Sequence, residues 1–201
     1  MRVTGLVLAA GGSARLGRPK QLLPYRGTTL LGATLARAAG FGFDQLLVAL
    51  GGAADEVLDR VDLAGAEVVR NRAFTTGCSS SVAVAVDRVA ADSAGVVLLL
   101  GDQPEVPPAA VEDLLAAVAA APAGAAAVMG ACRYTDGTGH PFWLGRDGFD
   151  ELRTLHGDKG VWRLLDARAD AVLVDVAGPV PRDVDTVEEY AALLAAAGEG
   201  S

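Results

Sequence analysis

The sequence predicts a single α/β domain with a mostly parallel, Rossmann-like central sheet and helices on both faces. Short runs rich in valine and leucine alternate with longer alanine- and leucine-rich segments of helical period, as in a parallel sheet flanked by helices. The short runs are largely apolar, which indicates strands that are buried on both faces. A length of 201 residues suits one hydrophobic core. Because no repeat or linker divides the chain, we treat residues 1–201 as one domain.

The individual elements follow from these runs in chain order. Six strands are predicted from the short apolar runs: residues 3–9, 45–50, 67–70, 96–100, 125–131 and 171–176. Seven helices are predicted between them from helical period and capping residues: residues 30–39 after the Thr28-Thr29 cap, 53–61, 80–91, 108–121, 149–155, 161–168 and 187–197. Between residues 133 and 144, the turn residues Asp136, Gly137 and Gly139 predict a hairpin or lid that interrupts the alternation.

The overall charge argues against a nucleic-acid partner. The chain has 17 Lys and Arg residues against 25 Asp and Glu residues, a net charge of -8, and no run of basic residues. Cys78 and Cys132 have neither CxxC spacing nor a histidine cluster nearby, so neither a zinc site nor a disulfide is indicated and a reducing cytoplasm is expected. The uncharged segment 114–132 is interrupted by a proline and two glycines, so no membrane partner is expected.

The first predicted strand leads into a segment that is suited to binding phosphate. In open α/β sheets the ligand lies at the carboxyl ends of the strands. Residues 10–20, here called the glycine-rich loop, follow such an end and contain Arg15, Arg18 and Lys20. Glycines let backbone amides approach a phosphate, and the cations offset its charge. A flexible surface loop is the alternative, and the pattern is neither a Walker motif nor GxGxxG.

Two acidic positions follow later strands. Asp102 ends the run LLLGDQP and could hold Mg²⁺, or cap a turn before the helix that begins at Pro108. Asp183 and Asp185 precede the N-cap residue Thr186, so they could cap the helix or bring a second carboxylate to the metal. Two carboxylates that converge without a cation would repel, so replacing either by Asn is expected to raise the melting temperature of the metal-free protein.

Three further segments have ordinary explanations as turns or caps: Asn71 to Ser81, Gly139-His140-Pro141 and Gly157-Asp158-Lys159-Gly160. A histidine beside a proline turn is more often structural than catalytic.

In their order along the chain, these segments resemble the MobA-like NTP transferase family, and within it the molybdenum cofactor cytidylyltransferase (MocA-like) branch. That family has an LAAG or LAGG loop followed by S-x-R-M-G-x-x-K, which residues 8–20 match with Leu16 in place of methionine. The later matches are Asn71 and Gly77 before Ser80 and Ser81, LLGDQP at 99–104, GHP at 139–141, GDxG at 157–160 and DxDT at 183–186. The resemblance implies a nucleotide-diphospho-sugar transferase-like fold, with a nucleotide-binding half (about residues 1–105) and an acceptor-binding half (about residues 106–201).

The resemblance also implies roles for single residues. The catalytic residues would be Lys20, Arg15 and Asp102, and Mg²⁺ would be held by Asp102 and Asp185. The nucleotide would be bound by Ala9, Ala10, Gly11, Gly12, Ser13, Arg15, Lys20, Asn71, Gly77 and Ser81. The acceptor would be bound by Gln103, Gly139, His140, Pro141, Gly157, Asp158 and Gly160.

The implied reaction is attack by an acceptor phosphate, such as that of a molybdopterin cofactor, on the α-phosphorus of a nucleoside triphosphate, with release of pyrophosphate. Ala10 favours CTP, because the guanylyl branch of the family tends to read LAGG. An enzyme that takes up the finished cofactor is a further implied partner. The chain departs from its relatives at Trp162, where they commonly have an arginine, which puts the acceptor contacts in question.

Other functions stay open. A guanylyltransferase, or a nucleotidyltransferase acting on another phosphorylated metabolite, would use the same residues. A nucleotide-dependent oxidoreductase is disfavoured, because the loop lacks GxGxxG and the second predicted strand ends at Leu50-Gly51-Gly52 without a ribose-binding acid. A non-catalytic cofactor carrier is disfavoured by the joint presence of Lys20, Asp102 and Asp185.

Overall fold

The computed structural model describes residues 1–13, 15–121 and 128–198. Three features of the sequence analysis lie outside the described residues: Ala14 of the glycine-rich loop, residues 125–127 of the fifth predicted strand, and the predicted break at Pro122 and Gly124. None of the helices in the described ranges is long and apolar enough to cross a membrane.

Among the residues that the structure describes, a seven-stranded sheet forms the centre of the fold. Its strands are β1 (Thr4–Ala9), β4 (Gln45–Leu50), β5 (Glu67–Arg70), β6 (Gly95–Leu100), β7 (Met129–Tyr134), β8 (Gly137–Gly145) and β9 (Val172–Asp175). They lie in the order β5-β4-β1-β6-β8-β7-β9, and β8 runs antiparallel to the other six. A separate antiparallel ribbon pairs β2 (Pro24–Tyr25) with β3 (Thr28–Thr29). The predicted mostly parallel sheet is confirmed.

The interruption predicted between residues 133 and 144 is a β-hairpin that is built into the sheet. Only Thr135 and Asp136 separate β7 from β8, and so short a connection joins adjacent antiparallel strands. The second strand of the hairpin continues to pair with β6, where Leu98 lies opposite Phe142. β8 was not among the strands predicted from the sequence, because glycine and proline interrupt its apolar run. This strand carries part of the cleft described below.

In the described ranges, seven α-helices flank the sheet: α1 (Leu30–Ala39), α2 (Ala54–Arg60), α3 (Cys78–Val86), α4 (Pro108–Ala119), α5 (Phe149–Arg153), α6 (Gly160–Asp166) and α7 (Val187–Ala196). Six of them agree with the predicted bounds to within two residues. The exception, α3, ends well before the predicted residue 91. There Arg88 N bonds to Ala85 O and Val89 N to Val86 O, and these tighter turns end the helix.

Hydrophobic side chains fill the space on both faces of the sheet. Val7 of β1 belongs to the cluster on one face, and its neighbour Leu6 belongs to the cluster on the other. A third, smaller cluster packs α7 against the β2–β3 ribbon and includes the fully buried Val184. Because Val184 is buried, the position of its neighbours Asp183 and Asp185 is fixed.

Candidate active site

A cleft of about 870 Å³ opens at the carboxyl ends of β1 and β6. This is where the ligand is expected in an open α/β sheet. Its lining comes from the glycine-rich loop, residues 74–78 at the start of α3, Gly101 and Asp102 after β6, residues 140 and 142 of β8, residues 158, 159, 161 and 162, and Asp183 with Asp185.

One ammonium group joins the two carboxylates that were predicted to share a metal. Lys20 Nζ donates hydrogen bonds to Asp102 Oδ2 at 2.6 Å and to Asp185 Oδ1 at 2.8 Å. Arg15 Nη2 donates to the other oxygen of Asp185 at 2.6 Å. The side chains of Lys20 and Asp102 are 19% and 7% exposed, whereas that of Arg15 is 68% exposed. The two carboxylates therefore converge, with a cation between them that the sequence analysis did not expect.

The charges of this ion cluster stabilise one another. Burial opposes the charge on Lys20, but Asp102 and Asp185 outweigh burial and raise the pKa of the ammonium above its ordinary value. The hydrogen bond from Lys20 lowers the pKa of Asp185, although partial burial acts in the other direction. Burial, with the negative charge of Asp102 nearby, raises the pKa of Asp183. Lys20 is therefore a fixed positive charge at neutral pH.

Hydrogen bonds within the glycine-rich loop hold Lys20 in place. The backbone N–H of Lys20 donates to Ser13 Oγ at 2.9 Å. The buried side chain of Gln21 donates from Nε2 to the carbonyl oxygens of Ala9 at 2.6 Å and Gly11 at 3.1 Å. These bonds join the beginning and the end of the loop, and Gly11 and Gly12 line the cleft between them.

The glycine-rich loop also packs against the residues that follow β4. A Cβ atom on Gly51 would lie 2.4 Å from Ala10 O and 2.8 Å from the ring of Phe74, so this close approach requires glycine. Ala10 itself is 6% exposed. The residue that distinguishes LAAG from LAGG therefore sits in a tightly packed position at the edge of the cleft.

Two hydrogen bonds attach the chain between β9 and α7 to the end of β6. Val184 N donates to Asp102 Oδ2 at 3.2 Å, and Gln103 Nε2 donates to Pro181 O at 2.8 Å. Gln103 is 4% exposed and does not line the cleft. Its side chain instead supports the chain between β9 and α7, whereas the resemblance implied a contact with the acceptor. These bonds bring Asp185 beside Asp102 even though β9 lies at the far edge of the sheet.

Asn71 organises the turn between β5 and α3. Its Nδ2 donates to Ser80 Oγ at 2.8 Å and to Ser81 Oγ at 2.9 Å, and its Oδ1 accepts from Ala73 N at 2.9 Å. Asn71 is 2% exposed and does not line the cleft, whereas Ser81 and Gly77 do. The buried amide thus positions the predicted nucleotide-binding residues around it.

The GDxG segment packs directly on the start of α3. Gly77 has a φ of +114°, and a Cβ atom there would lie 2.5 Å from the carbonyl carbon of Gly157. Asp158 Oδ1 accepts from Cys78 N at 3.1 Å. A Cβ on Gly160 would lie 2.2 Å from Ser79 Oγ. The glycines of this motif therefore permit close packing, while Asp158 lines the cleft.

The GHP motif places one side chain in the cleft. His140 lines it, whereas Gly139 packs where a Cβ would lie 2.7 Å from Val180 Cγ1, and Pro141 follows a cis peptide bond. The His140 ring stacks on Phe142 with 4.1 Å between centroids. Burial lowers the pKa of His140 to about 3, so its ring is neutral at neutral pH.

Sequence reasoning missed several residues that line the cleft: Phe74, Cys78, Phe142 and Val161. Phe142 could have been found, because side chains two residues apart on a strand share a face and His140 had already been identified. That step required β8 to be predicted as a strand.

The comparisons with known proteins identify the family of the chain. The family model of the MobA-like NTP transferase domain matches residues 5–172. The chain belongs to the MobA-like NTP transferase domain family. It has the nucleotide-diphospho-sugar transferase-like fold that the resemblance implied.

Rv0371c from Mycobacterium tuberculosis H37Rv is a similar solved structure. It is 50% identical with a TM-score of 0.88, and the match covers 96% of this chain and 97% of that one. A complex of Rv0371c with manganese is 47% identical with a TM-score of 0.84, covering 97% and 99% of the two chains.

Two curated relatives carry different names. The purine catabolism protein PucB of Bacillus subtilis (strain 168) is 30% identical over 208 residues, covering 92% of this chain and 93% of PucB. Nicotine blue oxidoreductase of Paenarthrobacter nicotinovorans is 39% identical over 103 residues, covering 51% of this chain. The match spans only 50% of the oxidoreductase.

The ion cluster of this MobA-like chain has the donors that a divalent cation requires. Among the residues that the structure describes, no three acidic, histidine or cysteine side chains form a metal cluster. One carboxylate oxygen of Asp102 and one of Asp185 nevertheless lie close together, at 2.6 Å and 2.8 Å from Lys20 Nζ. Mg²⁺ is commonly held by one or two carboxylates, with waters and phosphate oxygens as its other ligands. The pair therefore fits such an ion together with a bound triphosphate.

Proposed function

We propose that this protein is a cytoplasmic, Mg²⁺-dependent nucleotidyltransferase that passes a cytidylyl group from CTP to a phosphorylated acceptor, such as a molybdopterin cofactor, and releases pyrophosphate. The observation that carries the proposal is the position of Lys20. Its ammonium lies between Asp102 and Asp185 at the end of a glycine-rich loop, where a phosphate and its counterion would meet.

In the proposed reaction, the glycine-rich loop binds the triphosphate through backbone amides, and Arg15 and Lys20 neutralise its charge. The carboxylates of Asp102 and Asp185 hold Mg²⁺, which when bound stabilises negative charge on the phosphate oxygens. The acceptor phosphate is already ionised at neutral pH, so no general base is needed. Positioning and preorganised charge are the protein's main contributions.

The nucleotide preference rests on Ala10. We expect CTP with Mg²⁺ to raise the melting temperature more than GTP, UTP or ATP does, because a ligand that binds the native state stabilises it by mass action. The variant Ala10→Gly is the matched control. In this variant we expect the melting-temperature shifts with CTP and with GTP to be closer to each other. Equal shifts with all four nucleotides in the unmodified protein, or a larger shift with GTP, would contradict the cytidylyl assignment and leave the family unaffected.

The acceptor is tested by product analysis. The protein is incubated with CTP and Mg²⁺ and one acceptor at a time, with molybdopterin cofactor and glucose 1-phosphate as the two probes. Mass spectrometry should find a cytidylylated product, with pyrophosphate, only for the cofactor. A product with the sugar phosphate alone would overturn this acceptor class.

Nicotinamide-dependent oxidoreduction is the second candidate, and the similarity to nicotine blue oxidoreductase supports it. Two observations argue against it: β4 is followed by Gly51-Gly52 without an acid to bind ribose, and the glycine-rich loop lacks GxGxxG. NADH and NADPH in the same thermal-shift series distinguish the two candidates. A larger shift with either of them than with CTP would favour the oxidoreductase.

A further inference from the structure

The two sides of the cleft differ in chemistry. Near the ends of β1 and β6 lie the charged side chains of Lys20, Asp102 and Asp185. On the β8 side lie three rings, those of His140, Phe142 and Trp162, which we call the aromatic cluster. A cleft with a charged end and an aromatic end suits a ligand that has a phosphate at one end and a ring at the other.

The geometry of the aromatic cluster leaves one ring partly exposed. His140 and Phe142 stack with 25° between their planes. Trp162 stands nearly perpendicular to both, with its centroid 6.1 Å from His140 and 4.8 Å from Phe142. Trp162 is half-buried and lines the cleft. Aromatic rings in this arrangement are a favourable surface for another flat ring.

His140 adds polar groups to this surface. It is 7% exposed, and within the described parts of the chain no hydrogen bond reaches either of its ring nitrogens, although its backbone carbonyl accepts from Tyr134. A neutral imidazole offers one donor and one acceptor. Because the ring lines the cleft, its nitrogens are available to a ligand that carries a matching donor or acceptor.

The order of the strands indicates which substrate contacts the aromatic cluster. The glycine-rich loop follows β1, Asp102 follows β6, and His140 lies on β8, so the reacting phosphate would lie between the loop and the aromatic cluster. If the loop binds the triphosphate, the acceptor approaches from the β8 side. The aromatic cluster would then contact the acceptor, not the nucleotide.

We propose that the aromatic cluster binds a flat, hydrogen-bonding heterocycle of the acceptor, with Trp162 as the stacking surface and His140 as the hydrogen-bonding group. This inference rests on the proposed function, because it takes the phosphate of the same acceptor to lie at Lys20. Trp162 and His140 are then specificity-determining residues.

The test measures binding without turnover, by calorimetry in the absence of CTP. The probes are neopterin monophosphate, which carries a pterin ring, and glycerol 3-phosphate, which has no ring. The variants are Trp162→Leu, Trp162→Phe and His140→Phe, the last of which keeps an aromatic ring but removes the nitrogens. Phe41→Leu is the control, because Phe41 is an aromatic residue in the turn before β4, and β1 and β6 separate β4 from β8 in the sheet.

We expect the unmodified protein to bind neopterin monophosphate at least about tenfold more tightly than glycerol 3-phosphate, since base–aromatic stacking contributes that much in comparable sites. Trp162→Leu and His140→Phe should weaken pterin binding several-fold and leave CTP binding unchanged. Trp162→Phe should retain most of the affinity, and Phe41→Leu all of it. Melting curves of each variant establish that it is folded.

Three results would overturn the inference: no pterin binding by the unmodified protein, equal binding by the variants, or a loss of CTP affinity in Trp162→Leu. The last result would assign the aromatic cluster to the nucleotide base and leave the proposed function intact. Conversely, the protein could bind pterin in a way that depends on Trp162 and yet bind no CTP. That result would contradict the proposed function and support the heterocycle site.

Discussion

Lys20 Nζ lies 2.6 Å from Asp102 Oδ2, in a pair whose side chains are both largely removed from solvent. The two residues are 82 positions apart and follow the neighbouring strands β1 and β6. Removing one member of a shielded ion pair deprives the remaining buried charge of a partner, which is more destabilising than the loss of an exposed pair. Lys20 and Asp102 should therefore affect stability as well as turnover.

Replacing Lys20 by Ala should lower turnover about 10²- to 10³-fold, the usual effect of removing a preorganised charge that stabilises a transition state. The effect on CTP affinity should be smaller. Steady-state kinetics with CTP and Mg²⁺ measure both. Arg70→Ala is the control, because Arg70 pairs with Asp55 on the surface, where the two side chains are 50% and 87% exposed. Near-normal turnover by the Lys20 variant would mean that the ammonium holds Asp102 and Asp185 together without acting on the phosphate.

Replacing Asp102 by Asn should lower the stability of the metal-free protein, by about 1.5–3 kcal/mol for a lost hydrogen bond to a charged group. From the sequence alone the opposite change was expected, because two converging carboxylates would repel. That premise is wrong, since Lys20 and Arg15 already neutralise them. Asp185→Asn should have a smaller effect on stability, because Asp185 is 38% exposed.

Urea denaturation without metal and Mg²⁺-dependent turnover are measured for both Asp variants. Turnover should fall strongly in each, because each carboxylate is proposed to hold the metal. An Asp102→Asn protein that is more stable than the unmodified one would restore the repulsion argument. Full activity of either variant would contradict the proposal that the two carboxylates hold one metal ion.

The fold was predictable from the sequence because the strands of its parallel part are short apolar runs. The predicted bounds of β4 and β5 agree with the structure. β8 was not predicted, since its polar and glycine residues hide the pattern of a buried strand. The convergence of Asp102 and Asp185 was predicted for an incomplete reason: β9 lies at the edge of the sheet, and the bonds from Val184 and Gln103 bring the chain back. Such bonds depend on long-range packing, which no local pattern encodes.

Replacing Gly77 by Ala should destabilise the protein more than the same change at Gly42. Both glycines have positive φ, +114° and +73°, so alanine at either is strained, by roughly 1–3 kcal/mol. At Gly42 an added Cβ would have no atom within 4 Å, whereas at Gly77 it would lie 2.5 Å from the backbone of Gly157. Urea denaturation gives both free energies of unfolding. If the two variants had equal free energies of unfolding, α3 and the GDxG segment could move apart without loss of stability.

The stability of the protein should depend on the protonation of His140. Burial lowers the pKa of this histidine from 6.5 to about 3 in the native state. Between these two values the unfolded chain binds a proton that the native protein does not, so this contribution to stability rises with pH. It is fully present above about pH 6.5 and is lost as the pH falls toward 3, with a slope of at most about 1.4 kcal/mol per pH unit.

The matched variant for this prediction is His140→Gln, which keeps a donor and an acceptor but cannot be protonated. Carboxylates also titrate in acid, and they are common to both proteins, so the difference between the two free energies of unfolding isolates the contribution of His140. We expect that difference to be constant above about pH 7. Below about pH 6, near the ordinary histidine pKa, the free energy of unfolding of the unmodified protein should fall relative to that of His140→Gln. Urea denaturation at a series of pH values measures it. Curves that stay parallel down to about pH 4 would mean that the native cleft accepts a protonated His140, and that the ring is less enclosed than its 7% exposure indicates.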